Sequence, residues 1–305
     1  MQPKLLFLKV IILAIASLGP GASHPAQRGI ESNSAKAITS TSRETADLAD
    51  VTADVRALVA STDKNNILVV FDIDNTLLAM EQGLGSDQWY EWQSGLNRND
   101  KCNPQNVGNR FAAQGALYFA SAMRQTQPDA ATQVEALQND GFTVIALTSR
   151  GPSYRLQTFR ELRRNGYSFS FSAIGPDGGY DAEFIPVDDG RLSRYEDGVF
   201  MTEGQHKGQM LFALLQKTGT AMPAVIVMTD DNQKNLNAIR ETFATLDIPI
   251  HAWRYTGEDE NIAGFDEQKA YTEWLEIEPA LRQVQAVFGA DNYNLDTAIR
   301  SPDCP

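Results

Sequence analysis

Two aspartates separated by one residue, Asp72 and Asp74, directly follow an uninterrupted apolar run at residues 67–71. Such a run, bounded by polar residues, predicts a buried strand of a parallel sheet. Ligands of open α/β sheets lie beyond the carboxyl ends of the strands, so we expect both carboxylates at that edge. Two carboxylates held so close repel each other unless a cation or a proton lies between them. The spacing therefore predicts a metal-dependent site.

Further polar residues follow another predicted strand or begin a predicted helix: Thr148 and Ser149, Lys207, and Asp230 and Asp231. Since the carboxyl ends of parallel strands meet at one edge, these side chains are expected beside the first two aspartates. Hydroxyl groups, an ammonium and several carboxylates at one edge suit a phosphoryl group bound with Mg²⁺. The predicted partner is therefore a small-molecule phosphate ester.

The elements that must hold these residues alternate between strand and helix. Strands are predicted at residues 67–71, 143–147, 169–174, 224–228 and 248–253. Helices are predicted at residues 45–60, 109–123, 131–139, 154–165, 207–217, 233–242 and 267–288. This alternation predicts an α/β fold in which right-handed crossovers place helices on both faces of a mostly parallel sheet.

Two segments interrupt the alternation. Residues 79–108 contain several glycines and aromatic residues, and residues 175–203 are rich in glycine, aspartate and aromatic residues. We expect both to be small cap insertions above the edge of the sheet, within one domain at residues 44–305. Specificity resides in such insertions, so the pattern alone does not identify the phosphate ester.

Four short motifs occur in a fixed order: Asp72-Ile73-Asp74-Asn75-Thr76, then Thr148, then Lys207, then Asp230-Asp231. This order resembles the four-motif pattern of the haloacid dehalogenase (HAD) superfamily. The resemblance covers about 160 residues and implies a Rossmann-like HAD core with a small cap. Residues 85–93 are in addition similar to a group of exported bacterial HAD-like proteins of unassigned function, which names no substrate.

The resemblance also implies a role for each motif residue. Asp72 would attack phosphorus and form an aspartyl-phosphate, and Asp74 would protonate the leaving oxygen and then activate water. The implied phosphate-binding residues are Thr148, Ser149 and Lys207. The implied Mg²⁺ ligands are Asp72, Asp74 through its backbone carbonyl, Asp230 and Asp231. Dehalogenases lack the second acid and P-type ATPases have threonine there, so Asp74 favours phosphate ester hydrolysis or phosphoryl transfer.

The expected function is a Mg²⁺-dependent phosphohydrolase that acts on a phosphate monoester. One alternative is an exported HAD-fold binding or effector protein with little catalysis. Another is a phosphotransferase that delivers the phosphoryl group to an alcohol. A calcium-binding EF-hand loop is excluded, because Leu77 and Gly83 stand where that loop needs glycine and an acid.

Several of these residues also have ordinary interpretations when each is taken alone. Thr148 can cap a helix, and a single lysine such as Lys207 is more often on the surface. Arg150 can reach the substrate or form an ion pair with the acidic edge. Trp89 and Trp92 are expected to contribute local packing rather than a lid.

The amino terminus predicts export. Residues 1–23 combine early lysines, a short apolar run and a small-residue exit, which is the layout of a secretory signal peptide. A membrane anchor is less favoured because Lys9 interrupts the apolar stretch. Residues 24–43 are interpreted as a flexible spacer. The mature chain is therefore expected in the periplasm or outside the cell, with no membrane span.

Charge and cysteine content narrow the possible partners. Removal of residues 1–23 takes away two lysines and no acidic residue, so 24 basic residues face 39 acidic ones and the net charge falls from -13 to -15. This excess argues against general nucleic-acid binding, which depends on phosphate neutralisation. Cys102 and Cys304 either form a disulfide or remain free thiols. The sequence leaves the oligomeric state open.

Overall fold

The computed structural model describes residues 38–97, 100, 102–175, 181–188 and 190–295. The predicted signal peptide at residues 1–23, and residues 24–37 of the predicted spacer, lie outside the described residues. The described chain forms a mixed α/β fold with a mostly parallel central sheet flanked by helices. The predicted fold class is therefore confirmed.

The described strands fall into one large sheet and one small sheet. Their bounds are β1 Thr41–Thr45, β2 Ile67–Phe71, β3 Leu78–Met80, β4 Met123–Gln125, β5 Thr143–Thr148, β6 Glu183–Phe184, β7 Ser193–Glu196, β8 Val199–Met201, β9 Val225–Asp230 and β10 Ile250–Tyr255. The large sheet has the order β1-β10-β9-β2-β5-β8-β7-β6, and β3 pairs with β4. The six neighbouring strands β1, β10, β9, β2, β5 and β8 run parallel to one another. The remaining two, β7 and β6, are antiparallel to their neighbours.

The helices connect these strands. Their bounds are α1 Leu48–Leu58, α2 Asp87–Gly95, α3 Arg110–Ala120, α4 Ala130–Asn139, α5 Arg155–Arg164, α6 Lys207–Lys217, α7 Gln233–Ala244, α8 Asp259–Ala263 and α9 Glu267–Phe288. The bounds of β2, α6 and α9 coincide with the sequence prediction. Within the described residues, none of the helices combines the length and the apolar character that crossing a bilayer requires.

The central strand β2 explains why the main sheet has an apolar core on each of its faces. All its residues are buried, and successive side chains of a strand point to opposite faces of the sheet. Val69 and Phe71 pack with apolar residues of α1, α4 and α5. Leu68 and Val70 pack with apolar residues of α6 and α7. Helices therefore cover both faces, and the polar residues that follow β2 emerge at the edge of a well-packed sheet.

The strand predicted at residues 169–174 is wrong. Ser170–Ser172 forms a short 3₁₀ turn instead, and Phe171 is exposed. The Ser172 hydroxyl donates a hydrogen bond of 2.7 Å to the carbonyl oxygen of Val144, on the strand β5. The short strand β8 occupies the place beside β5. Tertiary packing thus overrides the alternating pattern of this segment.

The two predicted insertions have different structures. Residues 79–108 contain helix α2, whose Trp89 is buried 6.4 Å from Trp274 of α9, so Trp89 contributes packing as expected. The described part of residues 175–203 contains β6, β7 and β8, which extend the main sheet. The cap interpretation therefore fails for β8, which is an integral parallel strand of the core.

Two smaller predictions can be compared with the structure. Residues 41–43, the end of the predicted spacer, belong to β1, because this strand pairs in parallel with β10. Cys102 is disulfide-bonded, which excludes the free-thiol alternative for it. Cys304 lies outside the described residues.

Candidate functional site

The site begins at the carboxyl ends of the neighbouring strands β2 and β9. Asp72 directly follows β2, and Asp230 is the last residue of β9. The backbone N–H of Asp72 donates a hydrogen bond of 2.9 Å to the carbonyl oxygen of Thr229, which fixes the relative position of the two strand ends. Asp72 is 5% exposed and Asp230 is fully buried. Two carboxylates are thus held in the protein interior, as the spacing predicts.

Lys207 supplies the positive charge between them. Its Nζ donates hydrogen bonds of 2.6 Å to Oδ1 of Asp72 and 2.7 Å to Oδ2 of Asp230. Lys207 is the first residue of α6, whose start is capped by the His206 ring nitrogen Nδ1. Gly208 lets α6 pack closely on α7, since a Cβ there would lie 2.2 Å from a backbone oxygen. Lys207 is therefore a buried bridging residue, and its interpretation as a surface lysine is wrong.

The charges of this cluster do not balance. Burial raises the pKa of Asp72 well above its ordinary value, Lys207 opposes this effect, and repulsion from Asp230 and Asp231 adds to it. Burial, followed by repulsion from Asp230, raises the pKa of Asp231 to about 8. Burial alone would lower the pKa of Lys207, but Asp230 and Asp72 outweigh it and the pKa is raised, so this ammonium stays charged.

The donor set fits a divalent cation. Carboxylate oxygens of Asp72, Asp230 and Asp231 lie within 4.8 Å of one another. One ammonium faces three carboxylates, so two positive charges would complete the balance, and hard oxygen ligands are those that Mg²⁺ prefers. Asp230 is held rigidly, because its Oδ1 accepts hydrogen bonds from the Asn232 N–H at 2.9 Å and the Asn235 side chain at 3.0 Å. The carboxylate of the fourth predicted ligand, Asp74, lies outside this group.

Asp74 instead forms an ion pair with Arg150. Nε and Nη2 of Arg150 donate hydrogen bonds of 2.9 and 2.7 Å to the two carboxylate oxygens of Asp74. The guanidinium is buried, stacks at 4.5 Å over the ring of Tyr118 and donates a further bond to Thr158. Arg150 was expected either to reach the substrate or to form an ion pair with the acidic edge, and the structure shows this ion pair.

The turn after β2 joins the first motif to the last one. Asn75 has a φ of 56°, a left-handed conformation that asparagine tolerates better than most residues. This turn presents the Thr76 hydroxyl, which accepts a hydrogen bond of 3.0 Å from the N–H of Asp231. Gln88 of α2 donates a bond of 3.0 Å to the Asn75 side chain. The tight turn therefore aligns β2, β9 and α2 around the carboxylates.

Thr148 and Ser149 lie at the end of β5, the other neighbour of β2. Thr148 is fully buried, and its hydroxyl oxygen accepts a hydrogen bond of 3.1 Å from the Arg150 N–H, which leaves the hydroxyl proton for another acceptor. Ser149 is exposed and lines a cavity together with Asp74. Thr148 thus makes a local turn bond at the strand end, and the two residues flank the site on the Arg150 side.

This cavity has a volume of about 500 Å³. Asp87, which also lines it, was not among the residues that the sequence predicted for the site. Asp87 opens helix α2, and its side chain is exposed to the cavity. Desolvation by the cavity walls nevertheless raises the pKa of Asp87 to about 7, and repulsion from Asp74 and Glu91 adds to this effect. The available signal was an acid at the start of the aromatic-rich segment 85–93.

Comparison with known proteins adds a family but no activity. A family model described as "Protein of unknown function (DUF2608)" matches residues 44–286, most of the chain. No curated protein matches the chain. Neither comparison tests the resemblance to the HAD superfamily, which stays a prediction.

Proposed function

Because the chain belongs to the DUF2608 family, whose description names no activity, we propose its function from the site itself. We propose that the protein is a Mg²⁺-dependent phosphohydrolase of the HAD type that cleaves a phosphate monoester through an aspartyl-phosphate on Asp72. The observation that carries this proposal is the Lys207 ammonium, buried between Asp72 and Asp230 at the carboxyl ends of parallel strands. Export to the periplasm or the exterior remains part of the proposal.

In the first step, an Asp72 carboxylate oxygen attacks phosphorus and the bond from phosphorus to the ester oxygen breaks. Asp74 gives its proton to the leaving oxygen, so that an alcohol is released. Both carboxylate oxygens of Asp74 accept hydrogen bonds from Arg150, so this proton transfer requires that one of these two hydrogen bonds breaks. In the second step, water loses a proton to Asp74 and attacks phosphorus, which releases inorganic phosphate and regenerates Asp72.

Lys207 offsets the charge that develops on the transferring group. Its ammonium is already oriented by two carboxylates, so little reorganisation is needed during the reaction. Asp72, Asp230 and Asp231 would hold Mg²⁺, which when bound supplies further charge neutralisation at the phosphoryl oxygens. The hydroxyl groups of Thr148 and Ser149 would donate hydrogen bonds to phosphoryl oxygens on the Arg150 side of the site.

The test is hydrolysis of p-nitrophenyl phosphate with Mg²⁺. Wild type is expected to turn over, whereas Asp72→Asn and Asp74→Asn each lose at least about 100-fold in kcat/KM, since a catalytic proton transfer alone contributes about that much. Asp181→Asn is the matched control, because Asp181 is 93% exposed and away from the site, and it keeps full activity.

Three outcomes would overturn the proposal. Equal activity in wild type and in both site variants would remove the assigned roles. No hydrolysis of any phosphate ester, together with no thermal stabilisation by Mg²⁺ with beryllium fluoride, would favour a binding protein, since this pair of reagents mimics the aspartyl-phosphate. Formation of phosphorylated alcohols from added acceptors would instead identify a phosphotransferase.

A further inference from the structure

The cavity beside Asp74 lies where the proposed reaction releases its alcohol. Asp74 and Ser149 form part of its wall, whereas Asp72, the proposed nucleophile, does not line it. Since attack and departure occur on opposite sides of phosphorus, a leaving group protonated by Asp74 would project into this cavity. Its volume of about 500 Å³ is within the range of small-molecule ligand sites. The cavity is therefore suited to hold much more than a phosphoryl group.

Four aromatic side chains, arranged as two pairs, form part of the cavity walls. The rings of Tyr90 and Phe111 lie 5.6 Å apart and tilted by 49°, and the rings of Tyr118 and Tyr154 meet edge to face at 5.8 Å. Phe111 is 53% exposed although it lines the cavity. Aromatic pairs favour such offset and edge-on arrangements, and a further ring can join them in the same geometry. The walls therefore fit a flat ring better than a short polar chain.

Acidic side chains outnumber basic ones in the lining of the cavity. Among the described residues, Asp87 and Glu203 form no ion pair, and both line the cavity. Arg150 is engaged by Asp74, and Arg191 donates two hydrogen bonds to the backbone oxygen of Glu203. Two acidic side chains outside any ion pair thus face one guanidinium. A leaving group that carries its own negative charge would be repelled.

We infer that the substrates are phosphate monoesters of aromatic alcohols whose rings carry no further anionic group. This inference rests on the proposed function, because it assigns the leaving group of that reaction. The ring would pack between the wall of Tyr90 and Phe111 and that of Tyr154, with its ester oxygen toward Asp74. A cationic substituent would be accepted through Asp87 and Glu203.

The experiment compares four esters of primary alcohols, so that the leaving oxygens have similar reactivity: ethyl, benzyl, 4-(aminomethyl)benzyl and 4-carboxybenzyl phosphate. Wild-type kcat/KM is expected to be about tenfold higher for benzyl than for ethyl phosphate. The aminomethyl compound should match or exceed benzyl phosphate, and the carboxy compound should fall below it.

Phe111→Ala tests the wall directly. It should lower kcat/KM for benzyl phosphate about three- to tenfold and lower it less for ethyl phosphate. Phe119→Ala is the matched control, since Phe119 lies on the same helix α3, is 61% exposed and does not line the cavity. Because both side chains are exposed, neither variant is expected to impair folding.

The outcomes separate the two proposals. Equal kcat/KM for ethyl and benzyl phosphate in wild type, or equal losses for both esters in Phe111→Ala, would overturn the aromatic leaving group while the phosphohydrolase stands. Hydrolysis of none of the four esters, and of no other phosphate ester, would overturn the proposed function and this inference with it.

Discussion

Two networks built around acidic side chains differ in how their charge is balanced. Asp54 of α1 lies 2.8 Å from His251 Nδ1, and it accepts hydrogen bonds of 2.8 Å from Arg43 and 3.0 Å from Trp253 Nε1. Burial alone would raise the pKa of Asp54, but these partners outweigh it and lower the pKa to about 2. This acid is thus stabilised in its charged form.

The Asp72 cluster has the opposite balance. Three carboxylates share the single ammonium of Lys207, and burial together with mutual repulsion raises the pKa of Asp72. A well-partnered acid contributes to stability, whereas a cluster with excess negative charge is a cost that the rest of the fold must offset. The comparison therefore marks the Asp54 network as structural and the Asp72 cluster as a candidate active site.

The largest expected effect comes from removing the shared cation. Lys207→Met leaves buried carboxylates without their partner, so we expect the free energy of unfolding to fall by about 3–5 kcal/mol and hydrolysis to fall at least about 100-fold. Urea unfolding and kcat/KM measure the two effects. Lys217→Met, at the other end of α6, should change stability by less than about 0.5 kcal/mol. A stability loss no larger for Lys207→Met than for this control would contradict the assigned cluster.

Adding the missing charge should reverse the imbalance. Mg²⁺ at about 100 times its dissociation constant is expected to stabilise wild type by about 2.7 kcal/mol relative to EDTA, as measured by thermal unfolding. Asp231→Asn removes one ligand and should weaken this response, whereas Asp54→Asn should keep it. Identical unfolding curves for wild type in Mg²⁺ and in EDTA would show that the cluster holds no metal.

The last prediction concerns the sign of the pH dependence, in which the Asp54 contribution is the smallest effect. The pKa of Asp231 is raised from 3.8 to about 8, so in EDTA the folded state binds a proton that the unfolded state lacks, and stability should fall as pH rises from about 4 to about 8. The pKa of Asp54 is lowered, so its contribution of about 1 kcal/mol, discounted for solvent screening, is present above pH 3.8 and is lost as pH falls toward 2.

Urea unfolding at a series of pH values measures both contributions. Asp231→Asn should reduce the neutral-range slope, to which Asp72 and Asp87 also contribute, and leave the acid-range slope. Asp54→Asn should remove the acid-range slope and leave the neutral-range slope. Slopes of the same sign for the two networks would erase the distinction drawn between them.

The local sequence pattern was sufficient to predict the strands and helices that carry a long, regular apolar pattern of their own. The strands β2, β5 and β9 are apolar runs buried on both faces, and α6 and α9 have clear helical periodicity, so their positions were predictable. The strand β8 was not predictable, because three residues carry too little pattern and its pairing with β5 is non-local. For the same reason residues 169–174 were wrongly predicted as a strand.

For the candidate site, the sequence by itself determined which residues stand at strand ends and helix starts: Asp72, Thr148, Lys207 and Asp230. Only the tertiary structure decided how they are paired. Arg150 meets Asp74 across 76 positions, and Lys207 meets Asp72 across 135. The cavity that Asp87 and the four aromatic side chains line likewise exists only in the folded chain. The physical reason is that strand and helix patterns are local, whereas ion pairs and cavity walls depend on distances between segments far apart in sequence.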